Sequence, residues 1–396
     1  MYDLQTRFGT IYDDAEKEAI LDVLAHDAPT SGKTVQGFEK KFAEMCGTKH
    51  AVAVSNGTAA LLIAYKALDI KPGDEVITTP ITWIATAAAA DVLGAKIKFC
   101  DVDPATINMD PTTLTNLVTD KTKAICPVHL YGQPVDMEPI NELAADRGIK
   151  VIEDSAHAPG ATYKGKTTGG LGDIGCFSFH EQKNMSTLGE GGMVTTNDDA
   201  LAERIRLYKS HCTRVFGQST KYLSLDESNR EYAAEAELNR YWYQDFDDCG
   251  YNVRMTDIQA AVGICQLDKL PGNNKKRQNN AAFLDEQLET ITGITHGSIM
   301  PDVSPVYHLY LAFIDAQSPI SRDEFIYRLH QEYGIKCGVH YIPLVYAKAF
   351  KDRGHTSSEC EVACERWERL VTIPCHPRME QEHLDYLVES IKALLA

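Results

Sequence analysis

The sequence predicts an α/β chain: a mostly parallel sheet of seven strands in a large domain, followed by a smaller C-terminal α+β domain. Three observations carry this. Short apolar runs alternate with helical runs from Ala51 to Thr196. Strands alternating with helices build parallel sheets covered on both faces. The chain has 396 residues, 44% hydrophobic and 24% charged, an ordinary globular mixture too long for one small core.

The elements follow in order. Ala51–Val54 reads as a strand, running through Ser55-Asn56-Gly57-Thr58 into a helical stretch, Ala59–Leu68. Glu75–Thr79 reads as a strand and Trp83–Leu93 as an Ala-rich helix. Lys96–Val102 and Ala124–Leu130 read as strands, Asp136–Arg147 as a helix, and Lys150–Glu153 as a strand. Gly175–Phe179 and Gly192–Thr196 complete the seven, and Ala200–Lys209 is helical. The segment from His211 to Gly250 is polar but carries Tyr222, Tyr232, Tyr241, Trp242 and Tyr243. It reads either as a lid or partner contact, or as a decorative loop. Thr256–Leu270 is a helix that Pro271-Gly272 should break, which divides the chain into 1–270 and 271–396.

The formal net charge is −17, which repels phosphate backbones and argues against a nucleic-acid partner. Eleven cysteines without a C-x-x-C pair read as free thiols of a reducing compartment. Cys360 and Cys364 alone are too few for zinc, so no metal site is expected. The first residues hold no apolar signal core, and no apolar run is long enough to span a bilayer, so a soluble cytoplasmic protein is expected.

In a sheet of this kind ligands bind beyond the carboxyl ends of the strands. Ser55–Thr58, Thr82–Trp83, Asp154–His157 and Ser178–Lys183 are the expected rim. Gly57 and Thr58 open a helix whose free N–H groups suit a phosphate, or simply cap it. Asp154 ends an apolar strand, where a carboxylate needs a cation or serves as a cap. Ala156 leaves room for a flat ring. Trp83 can stack on such a ring or pack in an interface. Lys183 lies five residues after Ser178 and shortly before Gly189-Glu190-Gly191-Gly192. An enclosed lysine loses charge by desolvation and can form a Schiff base with an aldehyde. A nicotinamide Rossmann enzyme is disfavoured, since AVAVSNGTAA lacks G-x-G-x-x-G.

Together these residues resemble the DegT/StrS family of pyridoxal-phosphate-dependent sugar aminotransferases, of fold type I. The likeness covers nearly the whole chain. Its anchors are SNGTAAL at 55–61, TWIATAAA at 82–89, IEDSAHAPGA at 152–161, GDIGCFSFHEQKNMSTLGEGGMV at 172–194 and GYNVRMTDIQAAVGICQLDKL at 250–270. HLYLAF at 308–313, GVHYIPL at 338–344 and IPCHPRM at 373–379 extend it. The resemblance implies pyridoxal 5′-phosphate as cofactor, Lys183 as Schiff-base lysine and proton shuttle, and Asp154 as partner of the ring nitrogen. It places Gly57, Thr58 and Ser178 on the cofactor phosphate, and Trp83 and Ala156 on the two ring faces. His157 stands where many relatives carry glutamine beside the 3-hydroxyl. Asn252 would reach the phosphate from a neighbouring subunit, which implies a homodimer with shared sites.

The same resemblance implies L-glutamate as donor and a keto-sugar as acceptor, in lipopolysaccharide or other surface-sugar biosynthesis. The acceptor is either a nucleotide-linked keto-hexose or an ulosonic acid of the 8-amino-3,8-dideoxy-octulosonate type. Arg254, at the dimer seam, and His308, Tyr310, His340 and Tyr341 are candidate substrate contacts; His308 and Tyr310 read equally as packing residues. A sugar 3-dehydrase of the same fold has histidine at the lysine position, and Lys183 argues against it. A non-catalytic homologue would be expected to lose Lys183 or Asp154. Two departures, the 211–250 segment and Leu344-Val345 where many relatives have histidine, fall near the expected sugar site.

Overall fold

The computed structural model describes residues 4–5, 10–26, 30–215 and 244–396. Its centre is a seven-stranded sheet in the order His50–Val54, Gly192–Thr196, Ile174–Ser178, Lys150–Asp154, Thr122–Cys126, Glu75–Thr78, Lys96–Phe99. Gly192–Thr196 runs antiparallel to both neighbours; the other neighbouring pairs are parallel. Val52, Val54, Val76, Ile152 and Val194 are fully buried, because helices cover both faces of the sheet.

Boundaries move where local chemistry competes with apolar pattern. The helix expected from Trp83 spans Ala85–Asp91, and Trp83 stays outside it. Two strands end early, at Phe99 before Cys100-Asp101 and at Cys126 before Pro127, which has no backbone N–H to donate.

The largest difference lies at Pro271. The helix does not stop there but runs from Asp257 to Leu288, with Pro271 inside it. It begins in a capping box: the Thr256 hydroxyl accepts from the Gln259 N–H while the Gln259 side chain accepts from the Thr256 N–H. An internal proline costs about 3 kcal/mol. Burial on both sides outweighs that. Leu267 and Leu270 pack in the core under the helix Lys33–Cys46, while Ala281, Leu284 and Leu288 pack in the C-terminal core. The 1–270 and 271–396 division therefore falls inside one continuous helix.

The C-terminal part holds an antiparallel sheet, Ile294–His296, Tyr310–Ile314 and Leu370–Ile373, with helices Arg322–Tyr333 and Gln381–Leu395. Leu4 is buried in the same core, and its strand pairs with Ile335–Lys336. Of the 211–250 segment, Thr213–Val215 pairs with Gln244–Phe246, while Tyr222, Tyr232, Tyr241, Trp242 and Tyr243 lie outside the described residues. Among the described residues no helix is long and apolar enough to cross a membrane, and no cluster of His, Cys, Asp and Glu could hold a metal.

Candidate active site

The four strand-end loops meet around one cavity of about 570 Å³. Asn56, Gly57 and Thr58 form one edge, Thr82 and Trp83 the next; Asp154, Ala156 and His157 form the floor; Ser178, His180, Gln182 and Lys183 close the far side. His308 and Tyr341 complete the wall from the C-terminal part.

The phosphate-like edge follows from helix geometry. The first N–H groups of a helix lack internal acceptors. In Gly57–Ala67, the Ala59 and Ala60 N–H groups are taken by the Asn56 side chain and carbonyl, at 2.8 and 3.1 Å. The Gly57 and Thr58 N–H groups remain for the cavity. Glycine is required at 57 because a Cβ there would stand 2.7 Å from the Ser178 Cβ. Helix start and strand end thus approach closely enough to form one cradle.

Asp154 is only 6% exposed. Its Oδ2 accepts from the Thr86 hydroxyl at 2.7 Å and its Oδ1 from the Ala156 N–H at 3.1 Å. Burial pushes its carboxyl above the usual range; Thr86, the Ala156 N–H, Lys183 and His129 pull it back. A buried carboxylate of this kind suits a cationic ring nitrogen. Lys183 projects from the loop between two antiparallel strands. That loop is braced by bonds from the Phe179 N–H to the Gly191 carbonyl at 2.8 Å and from the Lys183 N–H to the His180 carbonyl at 2.9 Å. The Lys183 ammonium acts electrostatically on both Asp154 and His308.

The histidines have fixed tautomers. His157 Nδ1 accepts from the Tyr131 N–H at 3.3 Å, so a neutral ring carries its proton on Nε2, which meets the Tyr341 hydroxyl at 3.1 Å. The amide of Asn184 donates to Asn274 and to the Val306 carbonyl, so its Oδ1 accepts from His308 Nδ1 at 3.2 Å. The two rings lie 4.3 Å apart. Burial holds the His308 pKa well below its ordinary value, with His157, Lys183, Arg277 and His340 acting the same way.

Other candidates sit elsewhere. Tyr310 is buried in the C-terminal core with its hydroxyl on Asp285, and it lines a separate small cavity. His340 is buried with Nδ1 on the Thr372 hydroxyl at 2.6 Å. It is a packing histidine outside the cavity wall, unlike its neighbour Tyr341. Arg254 donates to the Ser210 hydroxyl at 2.9 Å, and Asn252 is exposed, bridged to Ser210; neither lines this chain's cavity. Sequence reasoning passed over Thr86, His180 and Glu190. No local pattern marks the first, because Thr82 precedes the helix and its four-residue spacing to Thr86 is not a helical pair.

The model of the DegT/DnrJ/EryC1/StrS aminotransferase family matches residues 10–392. The chain belongs to that family. It is a pyridoxal-phosphate-dependent sugar aminotransferase of fold type I. It is 36% identical over 387 residues to the spore coat polysaccharide biosynthesis protein SpsC of Bacillus subtilis, covering 96% of this chain and 94% of that one. It is also 36% identical to GDP-perosamine synthase of Caulobacter vibrioides, over 92% of this chain and 91% of the relative. A Streptococcus pneumoniae protein solved in its PLP form superposes with a TM-score of 0.87 at 26% identity, covering 99% of this chain and 98% of that one. The cavity fits the family's cofactor on two counts: the Gly57–Ser178 cradle leaves two free N–H donors for a phosphate, and the buried Asp154 carboxylate offers a partner for a protonated ring.

Proposed function

We propose that this aminotransferase moves the amino group of L-glutamate onto the carbonyl of a nucleotide-linked keto-hexose, supplying an amino-sugar to a surface polysaccharide. What carries the reading is that the Lys183 amine and the buried Asp154 carboxylate face one cavity whose edge offers a phosphate cradle. The 36% identity to GDP-perosamine synthase supports the nucleotide-linked acceptor, and the likeness to SpsC supports the polysaccharide destination.

Bound pyridoxal phosphate supplies an aldehyde that accepts the amino group and a protonated ring that withdraws electrons from the carbon losing its proton. The chain does the rest. The Gly57 and Thr58 N–H groups and the Ser178 hydroxyl hold the phosphate. The Asp154 carboxylate would keep a proton on the ring nitrogen. Trp83 and Ala156 flank the ring. His157, whose Nε2–H is held by the Tyr341 hydroxyl, would stand beside the ring's 3-oxygen, where many relatives carry glutamine. Lys183 Nζ takes the proton from the donor's α-carbon; in the second half it returns one to the sugar carbon that becomes the amine. Tyr341 and His308 stand on the acceptor side. Asn252, exposed and away from its own cavity, serves the site of a second copy, so the working unit is a homodimer. The eleven cysteines are all free, which suits a reducing cytoplasm.

The test supplies glutamate and either a nucleotide-linked 4-keto-hexose or an eight-carbon ulosonic acid, and follows 2-oxoglutarate. Amination of the ulosonic acid alone overturns the acceptor assignment. Lys183→Ala should lose at least ~10³-fold, since it removes both the covalent link and the positioned proton transfer. Borohydride reduction and peptide mapping should place the cofactor's mass on the peptide holding Lys183. Normal turnover by Lys183→Ala would overturn the central assignment.

A further inference from the structure

The carboxylate opposite the lysine is gripped by a two-hydroxyl chain. Thr82 and Thr86 are 2% and 0% exposed, and their Oγ1 atoms lie 2.8 Å apart. Thr86 Oγ1 is 2.7 Å from Asp154 Oδ2 and 3.1 Å from the Trp83 carbonyl. Thr86 therefore has one proton and three oxygen neighbours. A carboxylate and a carbonyl only accept, so the proton goes to one of them, and only Thr82 has a proton to give to Thr86. When Asp154 is ionised, the chain runs from Thr82 to Thr86 to Oδ2. When Asp154 carries a proton on Oδ2, it donates to Thr86, and Thr86 turns its own proton to Trp83. The Tyr65 hydroxyl donates to the Thr86 carbonyl at 3.1 Å and fixes that residue's backbone.

We propose that Thr82 and Thr86 form a positioning relay that orients Asp154 Oδ2 and favours its ionised form, the form able to keep a proton on the cofactor's ring nitrogen. The relay rests on the reading of Asp154 as partner of that nitrogen. The charges around Asp154 are consistent with it. Burial opposes ionisation, and the Thr86 bond is the first of the opposing influences, ahead of the Ala156 N–H, Lys183 and His129. The other titratable neighbours are Tyr65, Cys126 and Cys176. Burial raises the pKa of all three, so they stay neutral and add no charge. Hydrogen bonds to charged acceptors are stronger than neutral ones, so one hydroxyl here outweighs its size.

The test compares Thr86→Val, Thr86→Ser and Thr82→Val in the full-length chain. Carboxyl-¹³C aspartate labelling of cofactor-free protein gives the Asp154 titration, its signal being the one lost in Asp154→Asn. Thr86→Val should raise the midpoint by ~1–2 pH units, the scale of one bond to a charged acceptor. Thr86→Ser should restore it, and Thr82→Val should give a smaller rise. The affinity of each chain for pyridoxal phosphate, by absorbance titration, should fall in the same order, by ~10-fold for Thr86→Val. A wild-type midpoint in Thr86→Val, or no rescue by serine, overturns the relay. Should Thr86→Val fail to fold, Thr82→Val decides, and an unchanged midpoint there overturns it. Asp154→Asn binding cofactor as tightly as wild type defeats the ring-nitrogen reading itself. Weak binding by Asp154→Asn beside wild-type behaviour in Thr86→Val defeats the relay alone.

Discussion

Replacing Glu153 by glutamine should cost this chain stability although its own side chain does not line the cavity. Glu153 is fully buried beside Asp154. Its Oε1 accepts from the Leu171 and Gly172 N–H groups at 2.8 and 2.7 Å; its Oε2 accepts from the Gly169 N–H at 2.7 Å and from His129 Nε2 at 2.9 Å. All four partners donate. An amide offers one acceptor and one donor, so whichever position takes the NH₂ faces two donors. His129 cannot help by changing tautomer, because its Nδ1 accepts from the Val135 N–H at 3.1 Å. Two bonds to a charged acceptor are lost, at ~1.5–3 kcal/mol each, or ~3–6 kcal/mol in sum. The unfolding entropy of 396 residues is ~0.8 kcal/mol/K, so the melting temperature should fall by ~4–7 °C. Differential scanning calorimetry at fixed protein concentration measures this. A drop below ~1 °C would mean that the turn at 169–172 is held by something other than this carboxylate.

Two further outcomes follow from the geometry. Gly57→Ala places a Cβ 2.7 Å from the Ser178 Cβ, so the cradle must open; overpacking of ~1–3 kcal/mol predicts a ~5–150-fold weaker affinity for pyridoxal phosphate, and an unchanged dissociation constant would refute the cradle. Burial, aided by Arg277, Arg378 and His383, pushes the His376 pKa down to about 3, and His308 is lowered in the same direction. Between about 3 and about 6.5 the unfolded chain binds more protons at position 376 than the folded one, and the lowered His308 acts with the same sign, so stability rises with pH and is lost as pH falls through that window. Melting temperatures taken between pH 7 and pH 4 should decline, and more gently for His376→Gln; parallel slopes would refute the assignment.

Much of the sheet was legible because its strands are short apolar runs, several of them closing at Ser, Thr or Asp, and the strand-end rule then picked the loops that line the cavity. Asp154 and Lys183 could be singled out because a carboxylate at the end of a buried strand and a lysine before a glycine run are chemically conspicuous. The substrate wall was harder. His340 and Tyr341 are adjacent, yet only Tyr341 reaches the cavity, and nothing in the local pattern tells which of two neighbours turns inward. Tyr310 lies on a strand whose inward side faces a second core, a choice made by tertiary packing. The helix through Pro271 was misjudged because propensity prices the proline but not the two cores gripping either side of it. Thr86 escaped notice because a threonine in an alanine-rich helix looks ordinary until its acceptor, far away in sequence, is known.

The reversed strand Gly192–Thr196 has a consequence for the lysine's address. Ser178 and Gly192 face one another across an antiparallel ladder, so Lys183 hangs from a closed hairpin rather than from a crossover. A slip of one residue in that ladder would shift the anchor by ~3.3 Å and turn its side chains to the opposite face. The zipper of backbone bonds from Ile174 to Thr196 is thus a ruler for the amine, and strand pairing at the rear of the sheet sets how far the nitrogen reaches at the front.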